Sequence, residues 1–500
     1  MTRKSGIRYI VIFIAVFTST GVQAGQLKIG TATADITPKL PVALEGQFNL
    51  RIADTVETPL SASVLVLESE EDNRSSDMAV MVSCDLLQIP SELLDSVRKE
   101  VHRQSPEIDV MKIFLNAIHT HTAPVVENRL SAFRYAIPEN GLTQVEEYND
   151  FFIHRVAGAI VKAWKGRQPG SMSWGLSHAV VGYNRRVVYS KPVTLPGNFA
   201  NGTAEMYGNT NAPEFMNLEG TEDHDVNVLF FWDRKGKPVA MAIDIPCPAQ
   251  QVESRSAVNA DYWYPVREKL RQEFGSDLCV LGWISAAGDQ SPHPVYRQAA
   301  ENRMTSLRHL DDLHEISRRI VYAVEEAYNT VSEDRHADVR LIHRIEKLDL
   351  PVRQVTETEY ACARSVMDTC KMKIASDPRT AADLAAMLSW NEDVVRRYEK
   401  QKTSPDQKIT AELHIIRLGD VAVCTNPFEL FTDYGIRMKA RSRSLQTFIV
   451  QLAGDGTYLP TEKAVAGGGY SAIIQSDVVS PAGGQRLVDR TIEVINSLFP

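Results

Sequence analysis

Cysteine is scarce in this sequence, with six in 500 residues: Cys84, Cys247, Cys279, Cys362, Cys370 and Cys424. So few, so widely scattered, cannot form a disulfide framework, although an exported protein could oxidise one pair. Cys84, Cys279 and Cys424 lie in apolar strand-like runs and read as small buried hydrophobes. Positive charge is also in short supply: Lys+Arg 54 against Asp+Glu 63 gives a formal net charge of -9. An acidic chain argues against nucleic acid or an anionic membrane as the main partner. No internal repeat, low-complexity tract or Pro/Gly/Ser linker interrupts the sequence. One large domain over residues 25–500 is therefore expected rather than two separable ones. What is abundant is ordinary: 44% hydrophobic and 23% charged residues suit a soluble globular protein with a large core.

Long hydrophobic runs are missing too. Tyr9 to Phe17 is apolar, but a bilayer needs about 20 such residues. Arg3, Lys4 and Arg8 precede that run, and Val22-Gln23-Ala24 follows as a small-residue cleavage site. This is the three-part pattern of a secretory signal peptide, residues 1–24, which predicts a periplasmic or secreted mature chain. No Cys follows the run, so no lipoprotein anchor is expected, and no other stretch is apolar for long enough to cross a membrane.

Periodicity predicts an α/β fold with a mixed, partly parallel sheet and flanking helices. Ala79 to Cys84 reads as a strand, Ser91 as the cap of a helix, and Met111 to Asn116 as the next strand. That order is a crossover unit, and groups that do chemistry gather beyond the carboxyl ends of such strands, where Asp85 and His119 fall. Further expected elements are helices at Val145 to Trp164, Tyr264 to Phe274, Thr305 to Tyr328, Ala381 to Lys400, Phe428 to Lys439 and Gln485 to Leu498. Hairpins are expected at Asp225 to Ile245 and Leu413 to Val423, with strands at Leu278 to Ile284 and Gln446 to Leu452. The charged stretch Glu68 to Asp77 reads as a solvated hairpin tip.

Several segments carry groups capable of chemistry. In His119-Thr120-His121 the two imidazoles share one face if the segment is extended, and imidazole serves as metal ligand or as general acid or base. A pair of solvated loop histidines fits the pattern equally well. Gly288-Asp289-Gln290-Ser291-Pro292 follows a buried strand, and Ser291 there is either a nucleophile or part of a plain turn. Glu429 is flanked by Phe428, Leu430 and Phe431; a buried carboxylate there needs a partner such as a metal, whereas one at a helix start only satisfies the dipole. Tyr458-Leu459-Pro460-Thr461 and Gly467-Gly468-Gly469-Tyr470 follow, the glycines marking either backbone packed against a site or a mobile lid.

Taken in order, these segments resemble the neutral ceramidases, zinc amidases of the non-lysosomal type. The resemblance starts at Gly30-Thr31-Ala32-Thr33-Ala34-Asp35-Ile36-Thr37-Pro38 and runs through Ser83-Cys84-Asp85, His119-Thr120-His121-Thr122-Ala123-Pro124 and Asn184-Arg185-Arg186. It continues through Gly288-Asp289-Gln290-Ser291-Pro292, Pro427-Phe428-Glu429, Tyr458-Leu459-Pro460-Thr461 and Tyr470-Ser471-Ala472, covering most of the mature chain. It implies a zinc ion on His119, Glu429 and Tyr458, with His121 as a neighbouring proton donor or acceptor. It further implies Ser291 as a catalytic serine, Arg185 as a substrate-site arginine and Tyr470 as a supporting tyrosine, with Arg186 and Asp289 beside the substrate.

The chain departs from the family at one ligand. Where a second histidine belongs stands Ile245-Pro246-Cys247-Pro248-Ala249-Gln250. Cys247 replaces it as a thiolate ligand, or the site lacks that ligand; His224 and His293 are the other nitrogen sources. The sequence ends soon after Tyr470, so the family's C-terminal immunoglobulin-like domain is expected to be absent. The resemblance thus implies zinc-dependent hydrolysis of an amide in an N-acyl lipid or an N-acylated sugar-like compound. Two rival readings stand beside it. One is a polysaccharide lyase in which His121, Tyr458 or Tyr470 takes a proton alpha to a uronate carboxylate held by Arg185. The other is a binding protein without catalysis. A long apolar groove beside His119 would favour a lipid, and a polar cleft a glycan.

Overall fold

A computed structural model describes residues 25–71, 74–128, 134–194 and 201–499; the expected signal peptide lies outside them. Two sheets lie face to face with helices on both outer sides. The order helix, sheet, sheet, helix follows from the strands themselves. In Ser61–Glu71, Val64 and Val66 point to one face while Leu65 and Leu67 point to the other, and all four are buried. Val64 and Val66 meet Val156 and Ile160 of the helix Val145–Lys165. Leu65 and Leu67 instead join Met81 and Phe231 against Ile416, Val423 and Phe448 of the second sheet.

The larger sheet has the strand order Cys279–Ile284, Pro238–Ile245, Asp225–Asp233, Gln168–His178, Gln26–Asp35, Ser61–Glu71, Arg74–Cys84, Ile113–Ala117. Its interior is antiparallel and its outermost pair at each edge is parallel. The smaller sheet runs Leu341–Pro351, Lys408–Leu418, Val421–Thr425, Gln446–Val450, the last two parallel. The mixed, partly parallel α/β architecture expected from periodicity is the one observed. The strand–helix–strand unit Arg74–Cys84, Ser91–Gln104, Ile113–Ala117 is a parallel crossover with Val80 opposite Ile113.

These parallel edges position the site. The segments after Ala117, Ile245, Ile284, Thr425 and Val450 all leave carboxyl ends of parallel strands and are stitched to one another. Ala249 N donates to Ile118 O, Ser285 N to Ile245 O, Gln451 N to Ile284 O and Ala117 N to Leu452 O. Beyond such ends the ladder partners run out, leaving backbone and side chains free to build a site.

Some expectations need correction. Thr305 to Tyr328 is two helices, Gln298–Leu307 and Asp312–Val331, because His309 is left-handed (φ 55) and the Asp311 side chain caps a new start at His314 N. Phe428 to Lys439 is not one helix: Glu429–Leu430 pairs in parallel with Tyr458–Leu459, and the helix Thr432–Arg441 begins after it. Ser91 is the first helical residue after an N-cap at Pro90, and its backbone N–H goes to Asp455. In the stretch read as a solvated tip, Glu68 is buried against Arg167. The hairpin expected at Leu413 to Val423 is present and turns at Gly419-Asp420, with Gly419 at φ 59. Among the described residues no helix is long and apolar enough to cross a membrane. All six cysteines are free.

Candidate active site

His119 sits two residues past the strand Ile113–Ala117 in a left-handed conformation (φ 65). Histidine is among the few non-glycine residues that visit this region, which is still uncommon enough to mark the position. The segment is therefore not extended, and the two imidazoles meet edge to face, centroids 4.9 Å apart at 84°, rather than side by side. His119 Nδ1 lies 2.9 Å from Leu87 O. A carbonyl only accepts, so Nδ1 carries a proton, and Nε2 is the ring nitrogen left for a metal. Nε2 faces Glu429 Oε2 at 3.4 Å.

A histidine nitrogen and a carboxylate oxygen at this spacing fit a cation between them. Ligands about 2.0–2.2 Å from zinc at a tetrahedral angle are separated by roughly 3.4 Å. A ligating histidine typically donates its other N–H to a carbonyl, as His119 does to Leu87. The parallel ladder sets Tyr458 opposite Glu429, and a hydrogen bond to the Glu429 side chain is among the causes that, after burial, raise the phenol's pKa. His119, Glu429 and Tyr458 thus suit a three-ligand zinc site with an open position.

Cys247 does not join them. Its thiol lies 3.3 Å from Val181 O and 3.7 Å from Pro248 O, and burial pushes its pKa up, away from thiolate. Among the described residues, no three His, Cys, Asp or Glu side chains come together as a metal site. The cause is the path of the loop after Ile245, which turns Gln250 rather than Cys247 toward the histidines. We expect Cys247→Ala to leave metal content unchanged, measured by elemental analysis, at a cost of about 1 kcal/mol in unfolding free energy. The other nitrogen sources are also engaged elsewhere: His224 Nε2 faces Glu222 at 3.4 Å, and His293 Nε2 lies 3.0 Å from Gln250 O.

Gln250 is the residue the sequence did not announce. Arg185 Nη1 donates to Gln250 Oε1 at 3.2 Å, and since guanidinium only donates, the amide orientation follows. Gln250 Nε2 then donates to His121 Nε2 at 2.7 Å. Burial first, then the charges of His119, Arg51 and Arg185, hold the His121 pKa well below its ordinary value, so the ring stays neutral. Gly46, at φ 103, lies against that ring; a Cβ would come 2.6 Å from His121 Cγ.

Arg185 is buried and serves as a hub. Its remaining Nη contacts are Gly288 O at 3.0 Å, Tyr458 Oη at 3.1 Å and Tyr207 Oη at 3.4 Å. Ser291 is fully buried and lies behind Tyr207, Oγ to Oη 2.8 Å. Asp289 spends both carboxylate oxygens on Thr432 and Asn184, while its carbonyl receives Arg185 N. Arg186 is clamped by Glu219, Ser471, Ala464 O and Gly468 O. Asp289 and Arg186 therefore hold the loops in place and do not face the substrate. Tyr470 packs between Phe48 and Tyr458, centroids 5.7 and 5.6 Å away, with Trp390 at 5.8 Å. The glycines before it pack closely: a Cβ on Gly469 would meet Ala204 O at 2.6 Å.

The cleft over these groups has a volume of about 250 Å³ and is lined by Phe48, His121, Arg185, Glu205, Tyr207, Gln250, Glu253, Tyr458 and Tyr470 among others. Phe48, Glu205, Tyr207, Gln250 and Glu253 were not singled out from sequence. Tyr207 (φ 57) carries a structural signal, a left-handed backbone like that of His119, but no sequence signal.

Beside the cleft, Glu45 is buried and its carboxyl is pushed up from 4.5 to about 8, by burial foremost. Its folded pKa exceeds its unfolded one, so the stability it contributes is present below about pH 4.5 and lost as pH rises through 8. Glu45→Gln should abolish that loss. Urea midpoints at pH 5 and pH 9 check it, with the variant the more stable by a few kcal/mol (~2–4) at the higher pH.

No protein-family profile and no curated protein matches the chain. Solved structures do. A neutral ceramidase from Pseudomonas aeruginosa superposes with a TM-score of 0.63 over 95% of this chain and 75% of that one, at 16% identity. A ceramidase complexed with C2 gives a TM-score of 0.63 over 95% and 76%, at 14% identity. The chain has a neutral-ceramidase-like fold.

Proposed function

We propose that this protein is an exported zinc-dependent hydrolase that cleaves the amide bond of a small N-acylated substrate. The observation that carries the reading is His119 Nε2 turned on Glu429 at 3.4 Å, with Nδ1 donated to Leu87 O and Tyr458 alongside. Fold likeness to ceramidases supports the amide class, and the signal-like N-terminus supports export. Zinc held there would polarise a carbonyl and lower the pKa of a bound water to about 7.

The chain's own residues do the rest. Neutral His121 adds no positive charge beside the cation, and Gln250 holds its ring in place. Arg185 spreads positive charge over the phenols of Tyr458 and Tyr207, which face the cleft. At about 250 Å³ the cleft falls below the ~300–1,000 Å³ typical of pockets for drug-sized ligands. A short acyl group fits better than a two-chain lipid. The lyase reading draws no support from Arg185, whose Nη groups all meet neutral acceptors, with Nε its one donor lacking a partner among the described residues.

The test is a panel of short and long N-acyl amines, N-acylated amino sugars and uronate glycans, read for released amine and for unsaturated sugar. Amine from the short N-acyl compounds is expected. Unsaturated sugar without amine would overturn the proposal.

A further inference from the structure

Three hydrogen-bond counts around Ser291 lead to a role for Tyr207. Ser291 Oγ accepts the His293 N–H at 3.1 Å. Its own proton, on an atom with no solvent contact, needs an acceptor, and among the described residues Tyr207 Oη at 2.8 Å is the one in reach. Tyr207 Oη also faces Arg185 Nη1 at 3.4 Å, and guanidinium only donates. Both lone pairs of the phenol are then occupied. Its proton is left to point into the cleft, which the ring lines.

The backbone agrees with this count. Tyr207 is held left-handed, φ 57, by its N–H donated to Arg185 O at 2.7 Å. An aromatic residue in that conformation is a genuine outlier, and such strain concentrates where function imposes it. Ser291 is rigid in turn, paired with Tyr183 in a short antiparallel ladder.

The geometry points to Tyr207 as the catalytic residue that protonates the departing nitrogen, with Ser291 a positioning residue behind it rather than a nucleophile. This rests on the amide-hydrolase reading. Water oxygen bonds to the carbonyl carbon, the C–N bond breaks, and its electron pair stays on nitrogen. Nitrogen takes the Tyr207 proton. The phenolate, held by Arg185 and the Ser291 hydroxyl, regains the proton given up by the attacking water. One water is consumed, and a carboxylic acid and an amine leave.

The experiment compares an anilide with a nitrophenyl ester of the same acyl group, since the ester's leaving group needs no proton. Tyr207→Phe should lower the amide-to-ester turnover ratio about 100-fold or more. Ser291→Ala should lower kcat for the amide with KM unchanged, and Ser291→Thr should restore it. Equal loss on both substrates, or no loss, overturns the assignment. Neutron diffraction from the deuterated wild type adds a readout free of turnover: deuterium on Ser291 directed at Tyr207 supports it, and deuterium on Tyr207 directed at Ser291 overturns it. If the wild type cleaves no amide, the hydrolase reading falls, while the neutron density still decides the hydrogen-bond direction.

Discussion

Glu429→Gln should cost the protein its bound zinc and about 10³-fold in amide turnover. Both effects follow from losing a charged ligand, because several kcal/mol of carbonyl polarisation at 1.36 kcal/mol per tenfold is about three decades. Thermal melts with and without zinc read the loss of binding directly. The wild type should gain about 4 kcal/mol at zinc a thousandfold above its dissociation constant, and the variant nothing. A variant that still gains stability from zinc would place the metal elsewhere.

Arg267→Met should be the most damaging single change outside the site, at about 3–5 kcal/mol, read from urea midpoints. Asp85 and Arg267 are both buried and joined by two hydrogen bonds of 2.7 and 2.8 Å. Removing the guanidinium strands a carboxylate that nothing else neutralises. Asp85 also accepts Ser61 N at 2.8 Å. The double variant Asp85→Asn, Arg267→Met keeps that acceptor without the charge and should recover most of the loss. The effect also reaches the site. Asp85 immediately precedes Leu86 and Leu87, whose carbonyls receive His119 N at 3.0 Å and His119 Nδ1 at 2.9 Å. The single variant should therefore bind zinc more weakly as well.

The sequence made much of the layered fold legible because its strands are buried on both faces. Val80 and Val82 pack to the helices while Ala79 and Met81 pack to the second sheet, so apolar runs marked strands and their ends marked loops. The same logic placed His119 just past a strand end. What stayed hidden depended on a few residues of local geometry. Glu429 reads as a helix start in sequence, but its backbone N–H is taken by Thr457 O, and Tyr458 lies opposite in the ladder. Cys247 has the right chemistry for a ligand, but the chain turns Gln250 inward three residues later. Tyr207 lies in a polar stretch with no periodicity, and only its backbone angle and its hydrogen-bond partners distinguish it. Asp289 and Arg186 matched family motifs, yet they hold loops together from behind.

The most direct measurement is anomalous diffraction at the zinc edge from crystals of the mature protein grown with zinc. The account predicts one peak about 2 Å from His119 Nε2 and from the Glu429 carboxylate, with Tyr458 Oη in the same shell and Cys247 Sγ outside it. No peak between His119 and Glu429, or a peak on Cys247, would contradict it.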